Sequence, residues 1–257
     1  MASAPENAKP LFYKDIVPLN KDQHGQLHAR PTDKAPWLAN QHAVPLTVEE
    51  FPAAQRHYPI IFSAGGPETV PLGLMGMNEG VNVFVEADGS IKENAYVPAY
   101  ARRYPFMLAK LHADAKELSL CFDPSSDLIG EFEGGNALFE DGEPSETLKS
   151  TLKFCEQFEI AGNKTAAFIA ELEKHELLTD GEITVQLEGM DEPFTYRGFR
   201  VVNEGKLRDL RGDILRGWNQ NGMLPLIYAH LFSLQLVREI FGRQGQLGQM
   251  PEPAGNA

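Results

Sequence analysis

The stretch from Tyr96 to Phe106 constrains the local fold more than any other part of the sequence. It reads Tyr-Val-Pro-Ala-Tyr-Ala-Arg-Arg-Tyr-Pro-Phe. Pro98 suits the first turn of a helix, where its missing N–H costs nothing, whereas Pro105 disfavours helix at Tyr104. The stretch therefore predicts a helix of one or two turns. Such a helix is too short to be stable unless it packs against the rest of the protein.

Aromatic and cationic side chains dominate this predicted helix. Tyr96, Tyr100 and Tyr104 are four residues apart and would share roughly one face. Arg102 and Arg103 would point about 100° apart, so at least one of them is directed away from that face. This density of tyrosine and arginine predicts a surface that binds an acidic or sugar-like ligand, or a partner protein.

Composition and charge narrow the class of protein. The chain has 257 residues, of which 42% are apolar, so it can bury a substantial core. Its 36 acidic and 23 basic residues give a formal net charge of -13, which disfavours a nucleic-acid partner because phosphate binding requires a basic surface. The longest nearly apolar run, residues 223–237, is shorter than the roughly 18 to 20 residues that cross a bilayer. We expect a soluble globular protein without a transmembrane segment, and a homo-oligomer is left open.

The ends of the chain and its cysteines indicate the compartment. Residues 1–10 have neither the basic nor the apolar region of a secretion signal, so we expect a cytoplasmic protein, with surface association by a non-classical route left open. Cys121 and Cys155 have apolar or aromatic neighbours and no close second thiol, so a disulfide framework is not expected. Cys155 falls on the apolar face of a predicted helix and should be a buried thiol.

The periodicity of apolar residues predicts an α+β fold with a mainly antiparallel sheet. A short helix is predicted after Thr47, which forms a capping box with Glu50. Ser145 is predicted to cap a helical insertion that breaks at Gly162, and a turn at residues 179–181 is predicted to lead into a later hairpin with an acidic loop at 188–192. The predicted strands are 58–62, 70–77, 81–85, 106–111, 118–122 and 194–202.

A C-terminal helical pair, residues 206–219 and 224–241, is predicted to pack on the sheet, with Gly242 ending the last helix. Because no linker-like shift of composition appears, we predict a flexible arm at 1–10, one domain at 11–243 and a disordered tail at 244–257. Residues 123–146 are Gly-rich and acidic, and they predict a solvated loop rather than a calcium site, since EF-hand spacing is absent.

Two histidines are candidate catalytic bases. An unperturbed histidine titrates near neutral pH, so His28 or His230 could take a proton while Arg102 or Arg103 stabilises developing negative charge. A hydrogen-bonded histidine at the edge of the core is the commoner outcome for His230. His28 also pairs with His24 at a spacing of four, but Gly25 disfavours helix there, so no metal site is expected.

Recognised cofactor motifs are missing from the sequence. Ser63 with Gly65-Gly66 matches neither a phosphate-binding loop nor the nucleophile elbow of hydrolases, so a turn is the better interpretation. We therefore expect no cofactor, and the motifs alone leave it uncertain whether the protein is an enzyme.

Several runs together resemble the bacterial SapC family. They are Phe62–Gly66, Pro71–Gly76, Asn82–Val85, Tyr96–Phe106, His28–Pro31 and Leu226–Leu231 with Ser233-Leu234, and the likeness spans about residues 11–241. The family takes its name from a surface-layer-associated protein, and the resemblance implies no reaction and no catalytic residue. The permease label that its members often bear conflicts with the lack of a spanning segment in this sequence.

Three hypotheses follow from the sequence. The first is a soluble binding or accessory protein that engages its ligand through the tyrosines and arginines of the Tyr96–Phe106 stretch. The second is an enzyme of unknown class with a histidine base and an arginine-stabilised pocket. The third is purely architectural: the tyrosines fill the core, and the arginines pair with carboxylates such as Glu93 or Asp114.

Overall fold

A computed structural model of the chain describes residues 9–65, 68–92, 95–112, 114–115, 117–186 and 193–250. These residues form two compact units. The first unit comprises the residues up to Lys34 together with Ala99–Ala161, and the second comprises Ala35–Pro98 together with the residues from Gly162 onward. The single domain expected from composition stays a prediction.

The described residues form mostly short strands and helices. The strands are β1 (Val17–Pro18), β2 (His28–Ala29), β3 (Ala43–Pro45), β4 (Ile60–Ser63), β5 (Pro71–Leu74), β6 (Phe106–Ala109), β7 (Ser119–Phe122), β8 (Ile129–Gly130), β9 (Asn136–Ala137), β10 (Phe139–Glu140), β11 (Glu143–Pro144), β12 (Leu178–Val185) and β13 (Phe194–Val202). The helices are α1 (Lys21–His24), α2 (Phe51–Ala54), α3 (Ala99–Arg102), α4 (Glu146–Lys174), α5 (Glu204–Arg208), α6 (Gly212–Gln220), α7 (Met223–Ser233) and α8 (Val237–Gln246). The strands pair antiparallel, which confirms the predicted α+β class.

In the first unit, two small sheets enclose one apolar core. β7 lies between β1 and β6, and β2 lies between β8 and β9. Both cysteines are buried free thiols, as expected for Cys155. The core side chains are Phe106, Leu108, Phe122, Ile129, Leu138, Leu148 and Cys155.

The segment before β1 is tied into this unit. The Tyr13 hydroxyl donates to the Phe106 carbonyl at 2.7 Å, and Asp123 Oδ2 accepts from the Lys14 N–H at 2.7 Å. Burial raises the pKa of Asp123, but its hydrogen bonds to Ser125 and Lys14 outweigh burial, so the net pKa shift is downward. A charged carboxylate thus anchors residues 14 and 15 beside the end of β7.

Residues 123–146 are more ordered than the predicted solvated loop. β8 and β9 pair with opposite edges of β2, and β10 and β11 form a hairpin. Ile129 and Leu138 are buried in the core of the first unit. The solvated-loop prediction was wrong because these few apolar residues anchor the acidic segment.

The second unit is built on a five-stranded sheet with the order β12-β13-β4-β5-β3. The turn predicted at residues 179–181 is wrong, because these residues lie inside β12. A Cβ added at Gly181 would lie 2.3 Å from the Phe199 ring, so glycine is required there for close approach and not for a turn. The predicted acidic loop at 188–192 lies outside the described residues.

Residues 81–85 do not form the predicted strand, and a side chain explains the difference. They contribute only an isolated bridge between Val85 and Ile91 within the described chain. The Asn82 amide donates to the Leu38 and Gln41 carbonyls, and its oxygen accepts from the Phe84 N–H at 2.9 Å. Buried Asn82 satisfies backbone groups here that a sheet would otherwise pair.

The long helix α4 begins where predicted and continues further. Ser145 Oγ accepts from the Leu148 N–H at 3.2 Å, which confirms the predicted cap. The break predicted at Gly162 is wrong, because α4 runs unbroken from Glu146 to Lys174. A glycine costs a helix only about 1 kcal/mol relative to alanine, which packing of the buried side chains along α4 exceeds. The predicted capping box of Thr47 and Glu50 is confirmed.

The C-terminal helices pack on the second sheet, as predicted. α7 contacts β4 and β13, and α8 contacts β12. The helix predicted at 206–219 is divided into α5 and α6, and α8 passes Gly242 and ends at Gln246, so the stop predicted at Gly242 is wrong. None of the helices in the described ranges is long and apolar enough to cross a membrane.

Candidate functional site

The two adjacent arginines lie where α3 ends and a turn leads into β6. α3 spans only Ala99–Arg102, and the Arg103 N–H donates to the Ala99 carbonyl at 3.0 Å. The Phe106 N–H then donates to the Arg103 carbonyl at 2.7 Å. These backbone bonds fix Arg103 at the start of the turn, and the single-turn helix agrees with the length that its flanking prolines predict.

The Arg103 side chain is buried between aromatic rings. The residue is 7% exposed, and its guanidinium carbon lies 4.3 Å from the ring centroids of both Tyr100 and Phe158. Its Nη1 lies 3.7 Å from Glu159 Oε1, which is an ion pair but is longer than a hydrogen bond. Among the described residues, Arg103 Nε has no hydrogen-bond partner. A buried charged group therefore keeps one strong donor unused.

Glu159 compensates only part of the charge on Arg103. Burial raises the pKa of Glu159, while the positive charge of Arg103 opposes that rise. Burial likewise raises the pKa of Tyr100, against the same opposing charge. The carboxylate beside Arg103 is thus Glu159 and not the expected Asp114, while Glu93 lies outside the described residues.

Two more arginines of the first unit rest on aromatic rings. The guanidinium carbon of Arg102 lies 5.3 Å from the Phe154 centroid, and that of Arg30 lies 4.4 Å from the Phe132 centroid. The Arg30 N–H donates to the Leu128 carbonyl at 2.8 Å, which places this residue just beyond the pairing of β2 with β8. Both side chains belong to exposed residues, in contrast to Arg103.

The three arginines line one pocket of about 380 Å³, which we call the arginine pocket. Lining residues from the described part of the chain include no aspartate and no glutamate. They are Ala29, Arg30, Thr32, Arg102, Arg103, Tyr104, Pro105, Phe106, Leu128, Ile129, Ser150, Thr151 and Phe154. A chain with a net charge of -13 therefore concentrates three cations around one cavity.

The predicted tyrosine face does not form. Tyr104 lines the arginine pocket, whereas Tyr100 is buried and stacks on Arg103. Tyr96 belongs to the second unit, where its hydroxyl donates to Glu50 Oε1 at 3.1 Å. The three tyrosines do not share a helix face, because α3 has only one turn.

His230 is fully buried in the second unit and holds two strands. Its Nδ1 donates to the Ile60 carbonyl at 2.7 Å, and its Nε2 accepts from the Val202 N–H at 3.1 Å. Burial lowers the pKa of His230 to about 4, against the hydrogen bond to Ile60, which raises it. Both ring nitrogens are occupied by backbone groups, so the side chain is in the neutral form and acts as a structural bridge.

The second candidate base, His28, lies in β2. Its Nδ1 donates to the Gln26 carbonyl at 3.0 Å, and the residue does not line the arginine pocket. No group of three or more His, Cys, Asp or Glu side chains within the described ranges could hold a metal ion. Neither candidate histidine therefore lies among the described residues that line the arginine pocket.

Arg30 and Ser150 are among the polar pocket residues that sequence reasoning did not propose. Arg30 lies in the His28–Pro31 run, in which only His28 was predicted as a candidate functional residue. Ser150 is one of many polar residues on the outer side of a helix, and nothing in its local sequence distinguishes it. Only the pairing of β2 with β8 and the packing of α4 bring these residues to the cavity.

Fold and site define an α+β chain with an arginine-lined, acid-free pocket. The SapC family model matches residues 19–240, which is most of the chain, so the chain belongs to the SapC family. This match confirms the resemblance inferred from the sequence runs. No curated protein and no solved structure matches the chain.

Proposed function

We propose that this SapC-family protein is a binding or accessory protein that holds a small anionic ligand in the arginine pocket. The observation that carries the proposal is the buried guanidinium of Arg103, whose Nε lacks a hydrogen-bond partner among the described residues. A buried unmade hydrogen bond from a charged donor costs about 1–3 kcal/mol or more. An anion in the pocket would add negative charge beside this guanidinium, whose carboxylate partner Glu159 is 3.7 Å away.

The stacking of the arginines supports this role. A ring that covers the face of a guanidinium leaves its N–H groups pointing outward in the guanidinium plane. Phe132, Phe154 and the Tyr100–Phe158 pair thus restrict the orientation of Arg30, Arg102 and Arg103 respectively. Such preorganised groups lose little entropy when a ligand binds.

The charge distribution favours an anion over a neutral sugar or a cation. Three guanidinium groups line the cavity, and acidic side chains are not among its described lining residues. Elsewhere the chain is strongly acidic, with 36 acidic and 23 basic residues. The surrounding negative charge repels anions at long range. Binding of an anion therefore depends on contacts inside the arginine pocket, where screening by salt is weaker.

Thermal unfolding in the presence of simple anions tests the proposal. Sodium acetate, sodium benzoate, sodium phosphate and sodium phenyl phosphate would each be compared with sodium chloride at equal ionic strength. A ligand at one hundred times its Kd stabilises the folded state by about 2.7 kcal/mol, which raises Tm. We expect at least one of these anions to raise Tm.

The double variant Arg30→Gln with Arg102→Gln separates pocket binding from general salt effects. Phosphate stabilises many proteins without binding to a site, and that part of the shift should persist in the variant. Arg197→Gln with Arg208→Gln is the matched control, because both arginines are exposed and paired with Glu182 and Glu204. Equal shifts in the wild type and in the pocket variant, or no shift with any anion, would disprove the proposal.

A further inference from the structure

We infer that α7 forms the interface of a homodimer, in which its exposed side packs against the same side of α7 in a second copy of the chain. The inference goes beyond the proposed function, because α7 belongs to the second unit and the residues that line the arginine pocket belong to the first. It depends on the apolar residues that α7 exposes, on the lack of charge along this part of the chain and on the ability of such a surface to face itself.

The polar and apolar residues of α7 are arranged in the opposite way to those of an ordinary surface helix, which turns its polar side toward water. The polar residues His230 and Ser233 are fully buried and are bonded to the backbone of β4. Phe232 and Tyr228 are 62% and 40% exposed, and their rings stack with centroids 5.7 Å apart. The two rings therefore lie on a side of α7 that the core of the second unit does not use.

More apolar residues lie on the same side of the helix. Pro225 is exposed, and Leu224 and Leu231 are half-exposed. Each is three or four residues from Tyr228 along the helix, so the five side chains share one side of α7. We call Leu224, Pro225, Tyr228, Leu231 and Phe232 the α7 face. Aromatic residues within an apolar patch are typical of the centre of a protein–protein interface.

The α7 face lies in a long part of the chain that has no charged side chain. Residues 217–237 contain no Asp, Glu, Lys or Arg, although 23% of the whole chain is charged. The exposed polar residues of this run include the amides Asn219, Gln220 and Gln235. An apolar centre with few charges and a polar rim is the usual composition of a protein interface. An anionic lipid surface would repel a chain with a net charge of -13, so a protein is the better partner.

Self-complementarity favours a second copy as that protein. In a two-fold symmetric dimer the same patch occurs on both sides of the interface, so a charged patch would meet its own charge. An apolar patch meets itself without repulsion, and amides can pair with each other because each both donates and accepts hydrogen bonds. Residues 203–246 carry four acidic and six basic side chains, whereas the rest of the chain carries 32 acidic and 17 basic ones. Two copies therefore repel each other least where their C-terminal helices meet.

Analytical ultracentrifugation of the full chain tests the inference. One helix face provides a small interface, so we expect a monomer–dimer equilibrium at concentrations between about 1 and 200 µM. Phe232→Glu should raise the Kd of dimerisation at least about tenfold, because a charge that faces itself replaces a central aromatic ring. Ile160→Glu is the matched control, since Ile160 is 56% exposed on α4 and lies outside the α7 face. Its Kd should stay within about twofold of the wild-type value.

Gln235→Glu adds a test that changes charge and almost no volume. A dimer would bring two copies of the new carboxylate into one interface, so we expect a higher Kd at low ionic strength. The effect should shrink in about 1 M salt, which screens the repulsion between the copies. Phe232 and Gln235 are both exposed, so the urea unfolding midpoints of the two variants should match that of the wild type.

Two results would disprove the homodimer. One is a chain that stays monomeric up to about 200 µM, and the other is a dimer that neither Phe232→Glu nor Gln235→Glu weakens. Flotation with vesicles of phosphatidylcholine and phosphatidylglycerol tests the alternative occupant. A monomer that binds these vesicles and loses binding in Phe232→Glu would make the α7 face a lipid-binding surface and overturn the dimer. Anion binding at the arginine pocket is measured separately by thermal unfolding, so either proposal can fail without the other.

Discussion

His230 in the second unit and Arg103 in the first are both polar residues that are buried on folding. They differ in how completely their polar atoms are hydrogen-bonded. His230 gives both ring nitrogens to backbone partners, at 2.7 and 3.1 Å. Arg103 Nη1 lies 3.7 Å from Glu159 Oε1, and Arg103 Nε has no hydrogen-bond partner among the described residues. A satisfied buried group stabilises the fold, whereas an unsatisfied one lowers stability unless a ligand completes it.

The comparison also shows why residue type alone misleads. Histidine is the side chain most often proposed as a catalytic base, and an arginine next to carboxylates is often a structural ion pair. Here the histidine bridges β4 and β13, and the arginine lies on the wall of a cavity. Whether the buried polar atoms have hydrogen-bond partners distinguishes a structural residue from a candidate ligand-binding residue. Four measurements test this contrast between His230 and Arg103.

The largest effect is expected for His230→Ala. The change leaves the Ile60 carbonyl and the Val202 N–H without their partner and opens a cavity beside Phe62, whose ring centroid lies 4.8 Å from the imidazole. We expect a loss of about 3–5 kcal/mol in the free energy of unfolding, measured by urea denaturation. His112→Ala, at an exposed position, is the control and should cost less than about 0.5 kcal/mol. A loss below 1 kcal/mol for His230→Ala would contradict the structural role.

Acid should destabilise the protein through the same residue. The pKa of His230 is lowered to about 4 in the folded state, whereas an unfolded histidine titrates near 6.5, so the unfolded state binds more protons between these values. Its contribution of about 3 kcal/mol is present above pH 6.5 and is lost as pH falls through 4. The measurement is the free energy of unfolding from pH 8 to pH 4 in the wild type and in His230→Gln, whose side chain does not titrate.

The difference between these two curves isolates His230, because every other titrating group is shared. We expect the wild type to lose stability relative to the variant over this window. Parallel curves would mean that His230 titrates normally and is accessible to protons, and the contrast with Arg103 would then fail.

A smaller loss is expected for Ser233→Ala, which removes a neighbour of His230. Ser233 Oγ accepts from the Ile60 N–H at 2.8 Å and donates to the His230 carbonyl at 2.6 Å. We expect a cost of about 1–2 kcal/mol, because one buried N–H loses its partner. Ser119→Ala, measured by the same denaturation experiment, is the control. No loss would show that this network is less tightly satisfied than its geometry indicates.

The smallest effect on stability, with a large effect on binding, is expected for Arg103→Met. Methionine fills the space between Tyr100 and Phe158 without a charge, and half-exposed Glu159 stays hydrated. We expect the free energy of unfolding to change by less than about 1 kcal/mol, since an apolar replacement of a buried ion is often neutral. The anion-dependent rise in Tm should disappear. A cost above about 3 kcal/mol would make Arg103 as structural as His230.

Local patterns were enough to predict part of the fold. Runs of apolar and aromatic residues located β4 and β13, and the Ser145 and Thr47 caps located the starts of a long and a short helix. The prolines around Tyr96–Phe106 predicted the length of α3. These features depend on neighbours within a few residues, so the sequence carries them directly.

Long-range packing accounts for what the sequence did not reveal. α4 continues through Gly162 because the helix packs along its length, and residues 123–146 are ordered because Ile129 and Leu138 reach the core. The candidate site was predicted in part: Arg102, Arg103 and Tyr104 do line a common pocket. Arg30 was missed because it reaches the pocket through the pairing of β2 with β8.

The hydrogen bond from the Lys14 N–H to Asp123 joins residues that are 109 positions apart. During synthesis it can form only after most of the first unit has been made. The first part of the first unit leaves the ribosome before residues 35–98, which belong to the second unit. β1 therefore cannot pair with β7 until the intervening chain has been synthesised. Contacts between such distant residues form slowly, so we expect the pairing of β1 with β7 to be a late step in the folding of the first unit.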